Sequence, residues 1–529
     1  MPDTIADPQH DVTATYAVAP SLARRLAARV VAAPDAPTHT AMAPFTGAPV
    51  AVLPLSSRAD VETAVRRARA AQPDWAAVPL ADKARIMLRF HDLVLDRQSE
   101  LLDLIQIECG KARFHAFEEV ADVALVARHY ARRTAGYLRP HRRGGLFPLL
   151  TQARELRHPK GVVGIVAPWN YPLTLAISDA LPALMAGNAV VLRPDQQTPL
   201  TALLGVELLV EAGLPEQALQ VVLGPGPDVG QAVVETADYI CYTGSTATGR
   251  QVAQVAARRL VGVSLELGGK NAMYVAADAN LERAAEGAVR ACFSGAGQLC
   301  VSMERLVVHE AVADAFLDRF LARVRAMTLS PALDWSADMG TLLSPEQLAT
   351  VTRHVEDARS KGATVLAGGR PRPDLGPLFY EPTVLAGVTT DMVCRDEETF
   401  GPVVSVYRVG SDDEAVELAN DTPYGLNASL WSRDVRRGRA LAARIKAGTV
   451  NVNEGYAPAW GSVGAPMGGM KDSGLSRRHG AEGITKYTEV QNVTAQYGIG
   501  VGAPFGLSTR SWAKVMTVAL KTMKRAGLR

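Results

Sequence analysis

Between Asp60 and about Arg139 apolar residues recur every three or four positions, in VETAVRRARAAQ and again in ADKARIMLRFHDLVLDRQSELLDLIQIECGKA. That period marks helices with one buried face and predicts a helical layer over a sheet. The pattern then changes. LLTQARELRHP, Leu149 to Pro159, alternates as a strand does. GVVGIVAPWN, Gly161 to Asn170, is a continuous apolar run that ends in turn residues, as expected of a buried parallel strand. Beyond it ISDALPALMAGN and TALLGVELLVEAG read as helices, and AVVLRPD, ALQVVLG and DYICYT as strands. Strands alternating with helices predict a doubly wound, dinucleotide-binding sheet. The last of these strands opens into Gly244 and Gly249, before the predicted helix GRQVAQVAARR, whose N-terminus can receive a phosphate through free backbone N–H groups. After Asn271 a second series begins, with AMYVAADAN, LERAAEGAVRACF, RLVVHEAVADAFLDRFLARVRAM and QLATVTRHVEDARSKGATVLAGG. The fold class is therefore α/β, with a Rossmann-like cofactor domain and a second α/β domain.

Composition narrows the function classes. A chain of 529 residues exceeds what one core usually serves, so two or three domains are expected. Its 56 Lys and Arg nearly balance 54 Asp and Glu, and there is no long basic run, which argues against nucleic-acid binding. Cysteines 109, 241, 292, 300 and 394 are odd in number and lack CxxC spacing; that argues against a disulfide framework or a metal site and for a reducing, cytoplasmic setting. No run of about 18 apolar residues occurs that could span a membrane. Residues 1–34 read as a loosely attached leader. Its Arg- and Ala-rich segment SLARRLAARVVAA reads as a surface helix rather than a transit peptide, because Asp3, Asp7 and Asp11 are acidic. At the other end, 501–529 reads as a basic amphipathic tail, with Val515, Met516, Ala519, Leu520 and Met523 on one face and Lys514, Lys521, Lys524 and Arg525 around the other. Docking on its own or a neighbouring subunit is the favoured reading, and peripheral contact with a membrane surface the alternative.

The candidate chemistry centres on FSGAGQLCVSMER, Phe293 to Arg305, and LELGGKN, Leu265 to Asn271, which place Glu266 34 residues before Cys300. A thiol and a carboxylate in glycine-rich settings suggest covalent catalysis, with Gly268 and Gly269 leaving room for a bulky cofactor. PWNYP at Pro168 to Pro172, YTGSTATG at Tyr242 to Gly249, ETFGPV at Glu398 to Val403 and PMGGMKDSG at Pro466 to Gly474 complete the set. In order and spacing, over about residues 35 to 495, it resembles the aldehyde dehydrogenase superfamily, and within it an actinobacterial-type group of succinate-semialdehyde dehydrogenases.

The resemblance implies oxidation of an aldehyde to an acid with NADP or NAD, through a cysteine thiohemiacetal and thioester. It gives Cys300 as nucleophile, Asn170 with the Cys300 N–H as oxyanion hole and Glu266 as the base for hydrolysis. It places the cofactor on Pro168, Trp169, Arg193, Asp195, Gln196, Gly226, Gly244, Ser245, Gly249, Leu267 and Gly268, with Glu398 on the nicotinamide ribose, Phe400 beside the ring, and no metal. It divides the chain into a cofactor domain (35–141 and 160–268), an oligomerisation element (142–159 and 487–500) and a catalytic domain (269–486). It also implies a homodimer or homotetramer acting on a small aldehyde. The best reading is succinate semialdehyde with NADP; the alternatives are a broad aliphatic or aromatic aldehyde dehydrogenase and a non-catalytic nucleotide-binding protein. A CoA-acylating relative would not need Glu266, and a cysteine hydrolase would need a His beside Cys300.

Three departures from the resembled pattern carry information. Arg193-Pro194-Asp195-Gln196 stands where most relatives have Lys-Pro-x-Glu; Gln196 removes a charge that would repel a 2′-phosphate, and Arg193 could pair with that phosphate bidentately, whereas an Asp195 aimed at the ribose would favour NAD. Asp179 and Arg478 occupy the positions of a supporting Lys and Glu, with both signs inverted. Ser294 stands six residues before the cysteine, where better-understood members carry an arginine for the substrate carboxylate. Tyr456 and Trp460 lie in the loop that corresponds to the substrate mouth.

Overall fold

A computed structural model describes residues 18–148 and 150–527. Two doubly wound sheets form its body. The first has six strands in the order Gly474–Leu475, Gly262–Glu266, Tyr239–Thr243, Val162–Val166, Ala189–Arg193, Leu219–Val221, all parallel except the first. Every residue of Val162–Val166, Ala189–Arg193 and Tyr239–Thr243 is buried, because helices cover both faces. Chain order reverses around Val162–Val166, whose two neighbours are Ala189–Arg193 and Tyr239–Thr243; such switch points are where ligands bind. The PWNYP and YTGS loops leave the C-terminal ends of those strands.

The second sheet has seven strands, ordered Thr364–Ala367, Thr383–Ala386, Val403–Val409, Met303–His309, Asn271–Val275, Asn427–Trp431, Thr449–Val452, with only the first antiparallel. The turn 267–270 passes from the C-terminal edge of the first sheet to the N-terminal edge of the second. Cys300 lies just before Met303–His309, so the thiol stands where the two sheets face each other. The predicted alternation is observed in both halves.

The helices expected between Asp60 and Arg139 are Arg58–Ala77, Leu80–Asp96, Gln98–Cys109 and Arg113–Leu138. Ser57 opens the first with a reciprocal capping box to Asp60. Leu149 falls outside the described residues; the strand it was expected to begin is Thr151–Pro159. That strand sits between His141–Arg143 and Thr488–Gln496 in a separate three-stranded antiparallel sheet.

The two ends of the chain behave differently. Residues 1–17, with Asp3, Asp7 and Asp11, lie outside the described part. The rest of the leader is not loose: Pro20–Ala27 is a helix whose Leu26 is fully buried, and Arg25 and Arg29 pair with Glu207. The tail helix Thr509–Arg525 buries no residue at all, so it does not dock on its own subunit's body; the Trp512 indole N–H donates to the Val501 carbonyl at 2.7 Å. No described helix is long and apolar enough to cross a membrane, and no cluster of three or more metal-ligating side chains occurs among the described residues.

Candidate active site

Two cavities meet at Cys300. One is lined by Pro168, Trp169, Thr243, Gly244, Ser245, Glu266, Leu267, Gly268, Glu398 and Phe400, the other by side chains that include Glu118, Asp122, Tyr171, Tyr456, Trp460 and Arg478. Asn170, Leu175 and Cys300 line both. The thiol is therefore reachable from two sides.

The loop that carries Cys300 is fixed by close backbone packing. Gly295, Ala296 and Gly297 all have positive φ (59°, 56° and 72°), and a Cβ at Gly297 would lie 2.0 Å from the Gly401 carbonyl oxygen, so only glycine fits there. The Asn271 amide donates to the carbonyls of Cys300 and Ser302, each at 2.7 Å. Asn170 donates from Nδ2 to the Gln298 carbonyl at 2.9 Å, which holds its amide beside the cysteine. Gln298 in turn donates to the Gly295 and Thr341 carbonyls and accepts from the Leu343 N–H.

Burial dominates the electrostatics. It pushes the Cys300 thiol up to about 12, while the Arg478 guanidinium pulls it down. It also pushes the Glu266 carboxyl up to about 7, against Arg478 and Lys486, and Glu266 Oε1 has no hydrogen-bond partner. A carboxyl poised there can take a proton from water near neutral pH.

On the first cavity's far wall Glu398 accepts from the Gly269 N–H at 2.8 Å, and burial raises it to about 8. Phe400 sits at φ 51° and meets Trp169 edge to face at 5.5 Å. Its N–H and that of Thr399 donate to Glu304, which pairs with buried Lys270. That buried pair is what shapes the ETFG turn.

Two cofactor expectations need correction. The helix after Tyr239–Thr243 begins at Thr246 with Ser245 as its N-cap, so Gly249 lies inside the helix and not before it. Gly249 is small because a Cβ would fall 2.4 Å from Leu267 Cδ2, where helix and sheet touch. Arg193, expected to offer a free fork to phosphate, is committed: Nε and Nη2 donate to the Gly224 carbonyl at 2.9 and 2.7 Å, and Nη1 to Asp195 at 3.1 Å. Burial forces the guanidinium to satisfy its donors inside the protein. Asp195 is spent likewise, accepting also from the backbone and side chain of Gln197. Gln196 Oε1 is buried without a partner, and Gly226 opens the turn two residues beyond the Gly224 carbonyl.

These residues fit a nicotinamide dinucleotide. Exposed N–H groups at a capped helix start suit a phosphate, a neutral amide with an open acceptor lies at the edge of the sheet, and a carboxylate with aromatic walls faces the thiol. Ser294 is buried with its hydroxyl 2.7 Å from the Tyr456 hydroxyl, which donates to Glu118 at 2.7 Å. Glu118 Oε2 has no partner, and burial raises this acid to about 7. Sequence reasoning missed Glu118, Asp122, Asn271, Gln298 and Lys486. Asn271 and Gln298 stand within the quoted motifs; nothing local marks the other three.

Two facing doubly wound sheets, one with a dinucleotide-type switch point and the other presenting a cysteine, define a nicotinamide-type thiol oxidoreductase. The Aldehyde dehydrogenase family's sequence pattern matches residues 31–493, and the chain belongs to that family. A Mycolicibacterium smegmatis protein provisionally named a succinate-semialdehyde dehydrogenase for NADP(+) is 54% identical over 481 residues, covering 91% of this chain and 93% of its own. Among solved structures, an aldehyde dehydrogenase from Bacillus cereus (a G224D mutant) superposes with a TM-score of 0.85 at 31% identity, covering 91% of this chain and 99% of that one. An indole-3-acetaldehyde dehydrogenase in complex with NAD+ gives 0.84 at 32%, covering 88% and 94%.

Proposed function

We propose that the protein oxidises succinate semialdehyde to succinate with NADP, through a thioester on Cys300. The observation that carries the reaction is that Cys300 and Asn170 line both cavities, so a thiol and an amide donor are open to cofactor and aldehyde at once. The Cys300 thiol gives up its proton to solvent and the thiolate adds to the aldehyde carbon, and the Asn170 amide with the Cys300 N–H receives the oxyanion; these donors carry no titrating proton and serve at any working pH. The nicotinamide, when bound, supplies the hydride acceptor. As the oxyanion collapses, the carbon's hydrogen leaves as hydride and an acyl thioester remains; Glu266 then takes a proton from the water that attacks it and returns it to the departing sulfur, releasing the acid and the thiol.

The substrate and NADP readings are supported by the name of the Mycolicibacterium relative, and NADP also by Gln196, which brings no negative charge, and by the pairing of Asp195 with Arg193. One observation favours the broader reading: Ser294 bonds Tyr456 and supplies no cation for a carboxylate. We assign residues 35–141 and 160–268 to cofactor binding, 269–486 to catalysis, and 142–159 with 487–500 to assembly of a cytoplasmic homodimer or homotetramer. Val490 and Val493, 57% and 45% exposed on the outer strand, and the uncovered face of the tail helix would meet a neighbouring subunit.

The test is NADPH or NADH formation with succinate semialdehyde, a long-chain aldehyde and benzaldehyde, using Cys300→Ala as control. Highest kcat/KM for succinate semialdehyde with NADP is expected. Faster turnover of the apolar aldehydes would replace that substrate with the broad class, and turnover indifferent to Cys300 would sink the reaction.

A further inference from the structure

The charges behind the cysteine are unequal. Arg478 and Lys486 flank helix Gly480–Thr485 in a segment stitched to the base: Gly474–Leu475 pairs antiparallel with Leu265 and Glu266, and Arg478 exchanges backbone hydrogen bonds with Met467 at 2.6 and 2.9 Å. Arg478 Nη2 donates to Asp179 on helix Pro172–Met185 and, at 3.0 Å, to the Thr243 hydroxyl. Lys486 Nζ lies 3.9 Å from the other Asp179 oxygen. One buried carboxylate thus serves two buried cations, and the set is neutral only when Glu266 is ionised. Arg478 Nε, a donor, and Glu266 Oε1, an acceptor, are both buried and both without a partner.

We propose that Arg478, clamped by Asp179 and backed by Lys486, is a positioning residue whose guanidinium is the counter-charge against which Glu266 ionises and the Cys300 thiolate forms. This rests on the roles assigned above to Glu266 and Cys300. Other titratable neighbours supply no second counter-charge of that kind. Burial keeps Cys241 protonated and His479 neutral, and Asp122 and Glu398 are acids that burial raises. Arg477, which also favours ionised Glu266, spends Nη1 on the Gly469 and Ser476 carbonyls.

Removing a cation and removing its anion must then act in opposite directions, which a purely structural pair would not do. The readouts are the pH dependence of kcat and the rate of iodoacetamide labelling of Cys300 by mass spectrometry. Arg478→Gln should move the acid limb of kcat up by about one pH unit and slow labelling about tenfold at fixed pH. Asp179→Asn should move the limb down and speed labelling; Lys486→Gln should follow Arg478→Gln with a smaller shift, and Arg478→Lys should restore most of the labelling rate. Shifts of the same sign in Arg478→Gln and Asp179→Asn, or Arg478→Lys behaving as Arg478→Gln, would overturn the proposal. If Arg478→Gln does not fold, the opposite shifts of Lys486→Gln and Asp179→Asn decide alone. Labelling needs no turnover, so failure of aldehyde oxidation would be seen separately.

Discussion

The two cavities that share Cys300 are walled by different materials. The cofactor side draws heavily on backbone and turns: the glycines at 244 and 268, the N-capped helix start, the Phe400 turn held by Glu304, and two carboxylates, Glu266 and a Glu398 that is tied to a backbone N–H. The aldehyde side is walled by side chains, apolar ones such as Leu175, Leu299, Val301, Trp460 and Met467, with a polar group set among them: Glu118 and Asp122 one turn apart on Arg113–Leu138, and Tyr456 bridging Glu118 to Ser294. Backbone walls recognise a common ligand and resist substitution. Side-chain walls can be rewritten one residue at a time. A shared cofactor and a variable aldehyde are what such a division serves.

That contrast can be broken most severely at the shared wall. Asn170→Ala removes a donor from both cavities at once, and kcat should fall about 10²- to 10³-fold with the fold intact by circular dichroism. A rise in KM alone, with kcat unchanged, would mean that Asn170 only shapes the pocket. The next effect concerns pH: because Glu266 must be ionised to act and sits near 7, kcat should rise as pH increases through about 7. A profile flat from pH 6 to 8 would remove Glu266 from the rate-limiting step.

Each side can then be altered separately. Gln196→Glu places a charge on the cofactor side only; KM for NADP should rise about tenfold or more relative to NAD, read from crossed steady-state assays, with aldehyde preference unchanged. Tyr456→Phe acts on the aldehyde side only. It leaves both Glu118 oxygens without a protein donor, which should cost about 1–3 kcal/mol of stability in denaturant unfolding and change KM for the aldehyde but not for NADP. Cross-effects in these two variants would show that the cavities are not independent.

The different materials also explain what the sequence disclosed. Backbone walls are written in contiguous stretches, so PWNYP and YTGS could be placed at the ends of apolar strands and LELGGK and ETFG picked out as motifs, and both doubly wound halves could be read from the alternation of apolar runs and helical periods. The details that failed depend on burial. Nothing in RPDQ says that the Arg193 fork is used up on the Gly224 carbonyl, and the helix begins at Thr246 because Ser245 caps it, a signal present in the sequence and passed over for the glycine pair. The aldehyde side draws on positions 118, 122, 294, 456 and 478, brought together by tertiary packing. In Arg113–Leu138 the period shows which face is buried, and Glu118 sits at its margin as an ordinary surface acid would. The Asp179–Arg478 pair was legible only as an inverted pair of signs; its second cation, Lys486, was not legible at all.

The central claim is a thioester on Cys300 that Glu266 hydrolyses. Glu266→Gln mixed with aldehyde and NADP should release one NADPH per subunit in a burst and then stall, and intact-mass and peptide analysis should find the acyl group on Cys300. Steady turnover at the wild-type rate, or a burst with no mass added to Cys300, would contradict it.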